Sequence, residues 1–311
     1  MTTKKISIII CCYNEEANIP VIVTNIHQQM QHLPYIYEII VVNDGSTDKS
    51  LAILEDLCKD DKLLFYVNFS RNFGHQNALK AGLDFATGDA IISMDADMQH
   101  PPELIPSLIQ KWEEGFDVVY TRRKDDKSLS KRKRKSSALF YRFLNTVSDI
   151  ELEAGTADFR LLDRQVANII INIKGQNLFF RGIVSWVGFK QYALDYYPGK
   201  RHSGESKYTL KKMVGLAVQG ITSFSVKPLY IALYIGFTIA LLSLLFIPYA
   251  IFSLYYNQPV SGWTSLIVTI GFLGGLQLFI LGIIGLYIGK IFTQTKQYPT
   301  YIVKSTNLNN S

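Results

Sequence analysis

Apolar and polar positions follow one another in blocks from Lys5 to Thr121, and the blocks come in two lengths. Lys5 to Cys12 (Lys-Ile-Ser-Ile-Ile-Ile-Cys-Cys) is a continuous apolar run of strand length, the pattern of a strand covered on both faces. Glu15 to Leu33 spaces its apolar residues as a helix does; Tyr37 to Val42 reads as a second buried strand and Lys49 to Lys59 as a second helix. Leu63 to Asn68 and Ala90 to Met94 are further strands, on either side of a helix from Gly74 to Ala86 with Gly88 as its C-terminal stop. Phe116 to Thr121 is one more strand. Alternating β and α units predict a doubly wound, mostly parallel α/β sheet that binds ligands at the carboxyl ends of its strands.

A different pattern occupies the C-terminal part. Residues 228–289 contain no Asp, Glu, Lys, Arg or His, and Tyr256 to Gly262 in their middle carries turn signals. One bilayer crossing takes about 20 apolar residues, so the stretch predicts a two-helix transmembrane hairpin, about 229–255 and 263–289. Soluble helices carry a charged face, which argues against a buried pair. The chain then divides into an N-terminal domain (1–207), a juxtamembrane helix (208–227), the hairpin (228–290) and a tail (291–311), with Asn307 to Ser311 expected to be disordered.

Charge orients the hairpin. Lys207, Lys211, Lys212 and Lys227 precede it and Lys290, Lys296 and Lys304 follow it, while its turn has none, so the positive-inside tendency puts both ends in the cytoplasm. Tyr255, Tyr256 and Trp263 would mark the far interface and Tyr230, Tyr234 and Tyr287 the near one. The expected location is the cytoplasmic membrane, multi-pass, with no signal peptide at the N-terminus. Much of the net charge of +6 sits between Arg122 and Arg134, suited to anionic headgroups or a lipid phosphate rather than nucleic acid, or to a merely solvated loop. Ser136 to Ser148 behind it reads as an interfacial amphipathic helix or as a core helix. Cys11, Cys12 and Cys58 make neither a metal-ligand spacing nor a disulfide framework. Gly271, Gly274, Gly275, Gly282 and Gly285 permit close helix packing, within the hairpin or in a homo-oligomer.

Three polar clusters fall at expected strand ends: Tyr13 to Glu16, Asn43 to Asp48 and Asp95 to Gln99. Residues i and i+2 of a strand share a face, so Asp95 and Asp97 could present carboxylates to one hard divalent ion, Mg²⁺ or Mn²⁺, shared with substrate phosphates. A solvated turn is the plainer reading of that triplet taken alone. No Gly-x-Gly-x-x-Gly or Walker-type loop follows the first strand, which argues against a dinucleotide fold or an NTPase. Arg122 and Arg123, at a strand end on the same edge, are candidates for a lipid phosphate.

Ser7 to Asn18, Val42 to Asp48, Met94 to Glu103, Ala157 to Arg164 and Arg201 to Tyr208 together resemble the family 2 glycosyltransferases. More narrowly they resemble the polyisoprenyl-phosphate glycosyltransferases, which include bactoprenol glucosyltransferases and dolichol-phosphate mannose synthases. The resemblance implies a GT-A fold and sugar transfer, glucose and UDP being favoured, from a nucleotide-sugar donor to undecaprenyl or another polyprenyl phosphate. It places Tyr13, Asn14, Glu15, Asp44 and Ala96 at the donor, and Asp95, Asp97 and Gln99 at the metal and diphosphate. It places Asp158 at the reacting centre, and Arg201, Ser206 and Lys207 on phosphate oxygens of donor or acceptor. Two departures stand out: Cys12 where many relatives have proline, and Asn43 where many have aspartate.

A phosphate monoester with a second pKa of about 6 is already largely dianionic at neutral pH, so transfer needs no strong general base. Asp158 could take a residual proton, stabilise positive character at the anomeric carbon, or only cap a turn beside Arg160. Direct displacement predicts inversion. His75, His100 and His202 receive no role. A processive polysaccharide synthase is a competing reading, but Gln176 to Trp186 does not match the Gln-x-x-Arg-Trp signature of those enzymes. An inactive nucleotide-sugar-binding scaffold is the reading from another class.

Overall fold

The computed structural model describes residues 4–124, 153, 155–173, 175, 179–197, 222, 225–244, 248, 255 and 262–308. Its centre is an eight-stranded mixed sheet. The strands are β1 (Lys5–Cys12), β2 (Ile36–Asn43), β3 (Leu64–Phe69), β4 (Ala90–Asp95), β5 (Val118–Arg123), β6 (Thr156–Asp163), β7 (Gln191–Tyr196) and β8 (Val303–Thr306). Their spatial order is β7-β5-β6-β4-β1-β2-β3-β8. β4, β1, β2 and β3 run parallel, as the alternating blocks predict, and β5 and β7 run parallel to each other.

Two strands depart from the parallel pattern. β6 lies antiparallel between β4 and β5, and β8 lies antiparallel on the outer edge of β3. Of the polar tail expected to be disordered from Asn307 to Ser311, Asn307 and Leu308 are held beside β8 and 309–311 lie outside the described residues. Asn307 Oδ1 accepts the Tyr66 N–H at 2.7 Å, and Tyr301 stacks on Phe69 with ring centroids 5.1 Å apart. Covering the β3 edge in this way removes a row of unpaired backbone groups.

Helices cover both faces. α1 (Ile19–Met30), α2 (Ser50–Asp60) and α4 (Ile105–Glu113) pack on one side, and α3 (His75–Phe85), α5 (Arg164–Asn172) and α6 (Phe180–Trp186) on the other. β1 shows the period of two that separates the cores: Ile6, Ile8, Ile10 and Cys12 enter the first, Ile9 and Cys11 the second. Each fully buried large aliphatic side chain contributes about 1.5–3 kcal/mol. Ser7, the one polar residue inside β1, donates from Oγ to Glu38 at 2.5 Å.

Gly88 serves a purpose other than the expected helix stop, because α3 ends on an extended Ala86. A Cβ on Gly88 would stand 2.6 Å from the Ser7 nitrogen, so close approach to β1 is what demands glycine there.

Beyond the sheet, α7 (Lys227–Leu244) and α8 (Trp263–Thr295) are apolar helices, and the Tyr287 hydroxyl on α8 donates to the Ser225 carbonyl at 2.7 Å. α8 contains one stretch, Thr269–Thr295, long and apolar enough to cross a membrane, with none of it buried. Among the described residues α7 is shorter than that requirement, so one candidate span stands where the sequence predicts two. Residues 125–152, the helix expected at 136–148, most of the expected juxtamembrane helix and the turn at 256–261 lie outside the described residues.

Candidate active site

The carboxyl ends of β4, β1 and β2 are neighbours, so the three polar clusters predicted from sequence meet on one edge. The loops after β1 and β2 are stitched together. Asn14 donates its N–H to Ser46 Oγ at 2.9 Å and accepts the Thr47 N–H on Oδ1 at 2.8 Å, in a backbone conformation of positive φ. Glu15 donates its N–H to Ser50 Oγ at 3.1 Å, and its carboxylate accepts from Asn18 Nδ2 at 2.5 Å. Tyr13 is exposed beside them.

Asn43, fully buried, donates to Asn68 and accepts from Ser46, so it builds the turn. Asp44, 4% exposed, accepts the N–H groups of Phe73 and Gly74 at 2.6 and 2.9 Å. Burial raises its pKa in spite of those two bonds. Both oxygens thereby hold the loop before α3. Gly45 follows at φ +64, where a Cβ would sit 2.3 Å from the Arg71 carbonyl carbon, so only glycine lets the two loops meet.

Strand alternation does not govern how Asp95 and Asp97 are related. β4 ends at Asp95, and Asp97 lies in the turn beyond it, its Oδ1 accepting the Gln99 N–H at 3.1 Å. Such an Asp-turn is a local hydrogen-bonding habit of aspartate. Met98 in this turn has a positive φ. Ala96, expected at the donor, is 1% exposed with its methyl in the core. Asp95 is held by two histidines that sequence reading left without a role. His75 Nε2 stands 2.6 Å from Oδ1, and His100 Nδ1 accepts the Asp95 N–H at 3.0 Å while stacking on Phe159. Burial works against ionisation of Asp95, but the charge and hydrogen bond of His75 are chief among the effects that outweigh it and lower the pKa to about 2. Burial likewise disfavours the His75 cation, and the Asp95 carboxylate overrides it, to about 9.

β6 adds the other half of the site. Ser93 pairs with Arg160 across the antiparallel ladder, so continuing that register by two residues sets Asp95 opposite Asp158. The Asp158 carboxylate, 8% exposed, accepts from Arg160 at 2.9 Å and from both ends of the Arg181 fork at 3.2 and 3.0 Å. Burial pushes its pKa up, and Arg181, Arg160 and His75 together drive it far below the usual carboxylate range. The two guanidinium groups thus favour the ionised carboxylate and make Asp158 a poor proton acceptor. Arg160 is 1% exposed, whereas the Arg181 side chain keeps 35% of its surface on the open side. Arg181 was missed because α6 matches no motif; its only sequence signal is an arginine in an apolar segment, Phe179-Phe180-Arg181-Gly182.

Other expected ligands fare differently. Arg122 is bound by Glu153 and by Asp195 at 2.6 Å, so two carboxylates answer the charge it was expected to offer a lipid phosphate. Arg123, next to it, is exposed. Arg201, Ser206 and Lys207 lie outside the described residues. Among the described residues no three His, Cys, Asp or Glu side chains converge as a metal cage. Asp95 and Asp97 instead supply hard oxygen donors, which fits a cation that takes its remaining ligands from substrate phosphates and water. Burial raises the thiol pKa values of Cys11 and Cys12 well above the usual range, so neither competes as a thiolate ligand.

Comparison with known proteins agrees with this geometry. The model of glycosyl transferase family 2 matches residues 7–180. A Bacillus subtilis protein named uncharacterized glycosyltransferase YkcC is 44% identical over 96% of this chain and 93% of its own. The SfII prophage-derived bactoprenol glucosyl transferase of Shigella flexneri is 41% identical over 98% of this chain and 99% of its own. A crystal structure described as a mycobacterial protein shares the fold, at TM-score 0.50 and 18% identity over 70% of this chain and 73% of that one. The mixed sheet, the Asp95–Asp97 turn at its edge and these likenesses lead to one conclusion: the chain belongs to glycosyl transferase family 2, with a GT-A fold, and is a glycosyltransferase.

Proposed function

We propose that this protein moves glucose from UDP-glucose to undecaprenyl or another polyprenyl phosphate at a membrane surface, with inversion at the anomeric carbon. The observation that carries this reading is the meeting of the Asp95–Asp97 turn with the arginine-clamped Asp158 on one sheet edge. The near full-length likeness to bactoprenol glucosyl transferases supports the acceptor and the sugar.

Asp95 and Asp97, with Gln99, would hold Mg²⁺ or Mn²⁺, which neutralises charge on a departing diphosphate. His75 keeps the Asp95 carboxylate turned and ionised for that purpose. Tyr13, Asn14 and Glu15, in the loop stitched to Ser46 and Thr47, would line the nucleoside side, while Asp44 shapes it by anchoring Phe73 and Gly74. On the other side the dianionic acceptor needs positive charge and orientation more than a base. Arginine presents a planar fork that suits phosphate oxygens. Asp158 would orient Arg181 for this, joined by Arg123, Arg201, Ser206 and Lys207. Proximity of two oriented reactants removes much of the barrier by itself.

α8 would cross the cytoplasmic membrane. Its C-terminal end and the catalytic sheet share a side, because residues 296–302 lead directly into β8 on the β3 edge. Both termini are expected in the cytoplasm, with α7 completing a hairpin, and a reporter fused after Ser311 that gave an external signal would refute this topology.

The activity is tested by incubating purified protein and Mg²⁺ or Mn²⁺ with radiolabelled UDP- and GDP-sugars and undecaprenyl phosphate, then extracting lipid. Label from UDP-glucose should enter the organic phase, and Asp97→Ala should abolish the metal-dependent part. Absence of transfer from any donor, with nucleotide binding intact, would overturn the reading.

A further inference from the structure

Three parts of the site converge on the short segment Phe73 to Gln76, which opens α3. Phe73 and Gly74 donate their N–H groups to Asp44. His75 reaches Asp95 at 2.6 Å. Gln76 turns the other way, and its Oε1 accepts the Phe180 N–H at 2.9 Å. Phe180 is the first residue of α6, and the next residue, Arg181, grips Asp158 with two bonds.

The Gln76 contact answers a specific need. The first N–H groups of a helix have no partner within it, and α6 has no side-chain cap from its own N-cap residue, Phe179. Phe180 is 1% exposed, so water does not substitute. A buried amide left without an acceptor keeps the full cost of its lost hydration. Gln76 supplies that acceptor from a helix 104 positions away in sequence. Neighbouring side chains on one helical turn thus hold Asp95 and the helix that carries Arg181.

We propose that Gln76 is a positioning residue: by capping α6 at Phe180 it fixes the Arg181 fork on Asp158, and with His75 beside it sets the spacing between the donor and acceptor halves of the site. This rests on the reading above, in which Asp95 serves the donor diphosphate and Arg181 the acceptor phosphate.

Gln76→Met keeps the length of the side chain and loses the acceptor, while Gln76→Glu keeps an oxygen for the Phe180 N–H. In full-length protein, Gln76→Met should lower kcat/KM for polyprenyl phosphate about 10- to 100-fold, the scale of a small misplacement of a reacting group. Calorimetric affinity for UDP with Mg²⁺ should stay within about twofold, which separates acceptor positioning from general damage. Gln76→Glu should recover most of the lost turnover. Hydrogen exchange of the Phe180 amide should quicken about tenfold or more in Gln76→Met and remain slow in Gln76→Glu. Full acceptor kinetics in Gln76→Met, an equal loss of UDP affinity, or a Gln76→Glu variant as impaired as the methionine would overturn the proposal while the functional reading stands. A wild-type protein that transfers no sugar would overturn that reading, and this proposal with it.

Discussion

Replacing Asp158 by asparagine separates two roles that an aspartate at a reacting centre can have. The carboxylate accepts three hydrogen bonds from two guanidinium groups, and Arg160 behind it is 1% exposed. Asparagine preserves the shape and removes the charge. Arg160 Nη2 would then donate to the Ala157 carbonyl, at 3.0 Å, and to the neutral amide oxygen. Removing one partner of a buried ion pair costs about 3–5 kcal/mol, because the other charge stays buried and uncompensated. At about 2–4 °C per kcal/mol for a domain of this size, the melting temperature should fall by about 6–20 °C. The pair Asp158→Asn with Arg160→Met should regain much of the loss, since deleting both partners removes the stranded charge. Differential scanning fluorimetry of the detergent-purified chain, with lipid-extraction assays alongside, measures both effects. A single variant that melts within about 1 °C of wild type, below the smallest shift expected for a buried charge, while losing transfer would refute this reasoning and restore Asp158 as a proton acceptor.

Two further perturbations test parts of the fold that support the site. Glu38 is buried and accepts from Lys5, Ser7 and Thr87; burial raises its pKa, but these bonds outweigh it and leave the pKa lowered. A depressed folded pKa contributes stability that is present above the unfolded value of about 4.3 and lost as pH falls through the folded one. Glu38→Gln should therefore destabilise at neutral pH and flatten the acid limb of stability, and a variant whose urea midpoint equals that of wild type at every pH from about 7 to about 3 would contradict it. Truncation after Thr300 removes Tyr301, β8 and Asn307; it should lower the melting temperature and promote association through the bared β3 edge, read by light scattering.

The parallel core was legible because its signal is local: apolar runs of strand length alternating with helical spacing. Asp97 was legible as a strand-end residue but not as a turn former: β4 ends at Asp95, so strand alternation does not reach Asp97, whose side chain accepts the Gln99 N–H. β6 was hidden. It sits antiparallel between β4 and β5, far away in sequence, and Ala157 to Asp163 with its Asp158 and Arg160 does not read as an apolar strand until the ion pair that neutralises the two is seen. His75, His100, Gln76 and Arg181 were invisible for a related reason. Each acts through a partner at least five positions away, His100 on the Asp95 N–H being the nearest case, and no single-sequence period encodes such pairing. β8 gave no sequence signal because an edge strand needs backbone groups and a neighbour more than apolar side chains.

The state of Asp158 bears on how the reaction is driven. A carboxylate held between two arginines has no affinity to spare for a proton, and the local charge of the cluster is positive: two guanidinium groups against one carboxylate. An oxocarbenium-like centre would gain little from such a group, so stabilising positive character at the anomeric carbon suits Asp158 no better than accepting a proton does. A dianionic phosphate gains directly, since hydrogen bonds between ionised partners are about twice as strong as neutral ones. The opposite polarity holds a strand away, where Asp95 and Asp97 present carboxylates suited to a cation. The edge therefore carries a negative half and a positive half, joined through the first turn of α3, a division that suits the metal-borne diphosphate and the phosphate acceptor proposed above. That division favours charge placement over proton transfer as the source of rate. On the proposed function, the pH dependence of turnover should follow ionisation of the acceptor, about pH 6, and not that of any carboxylate in the site.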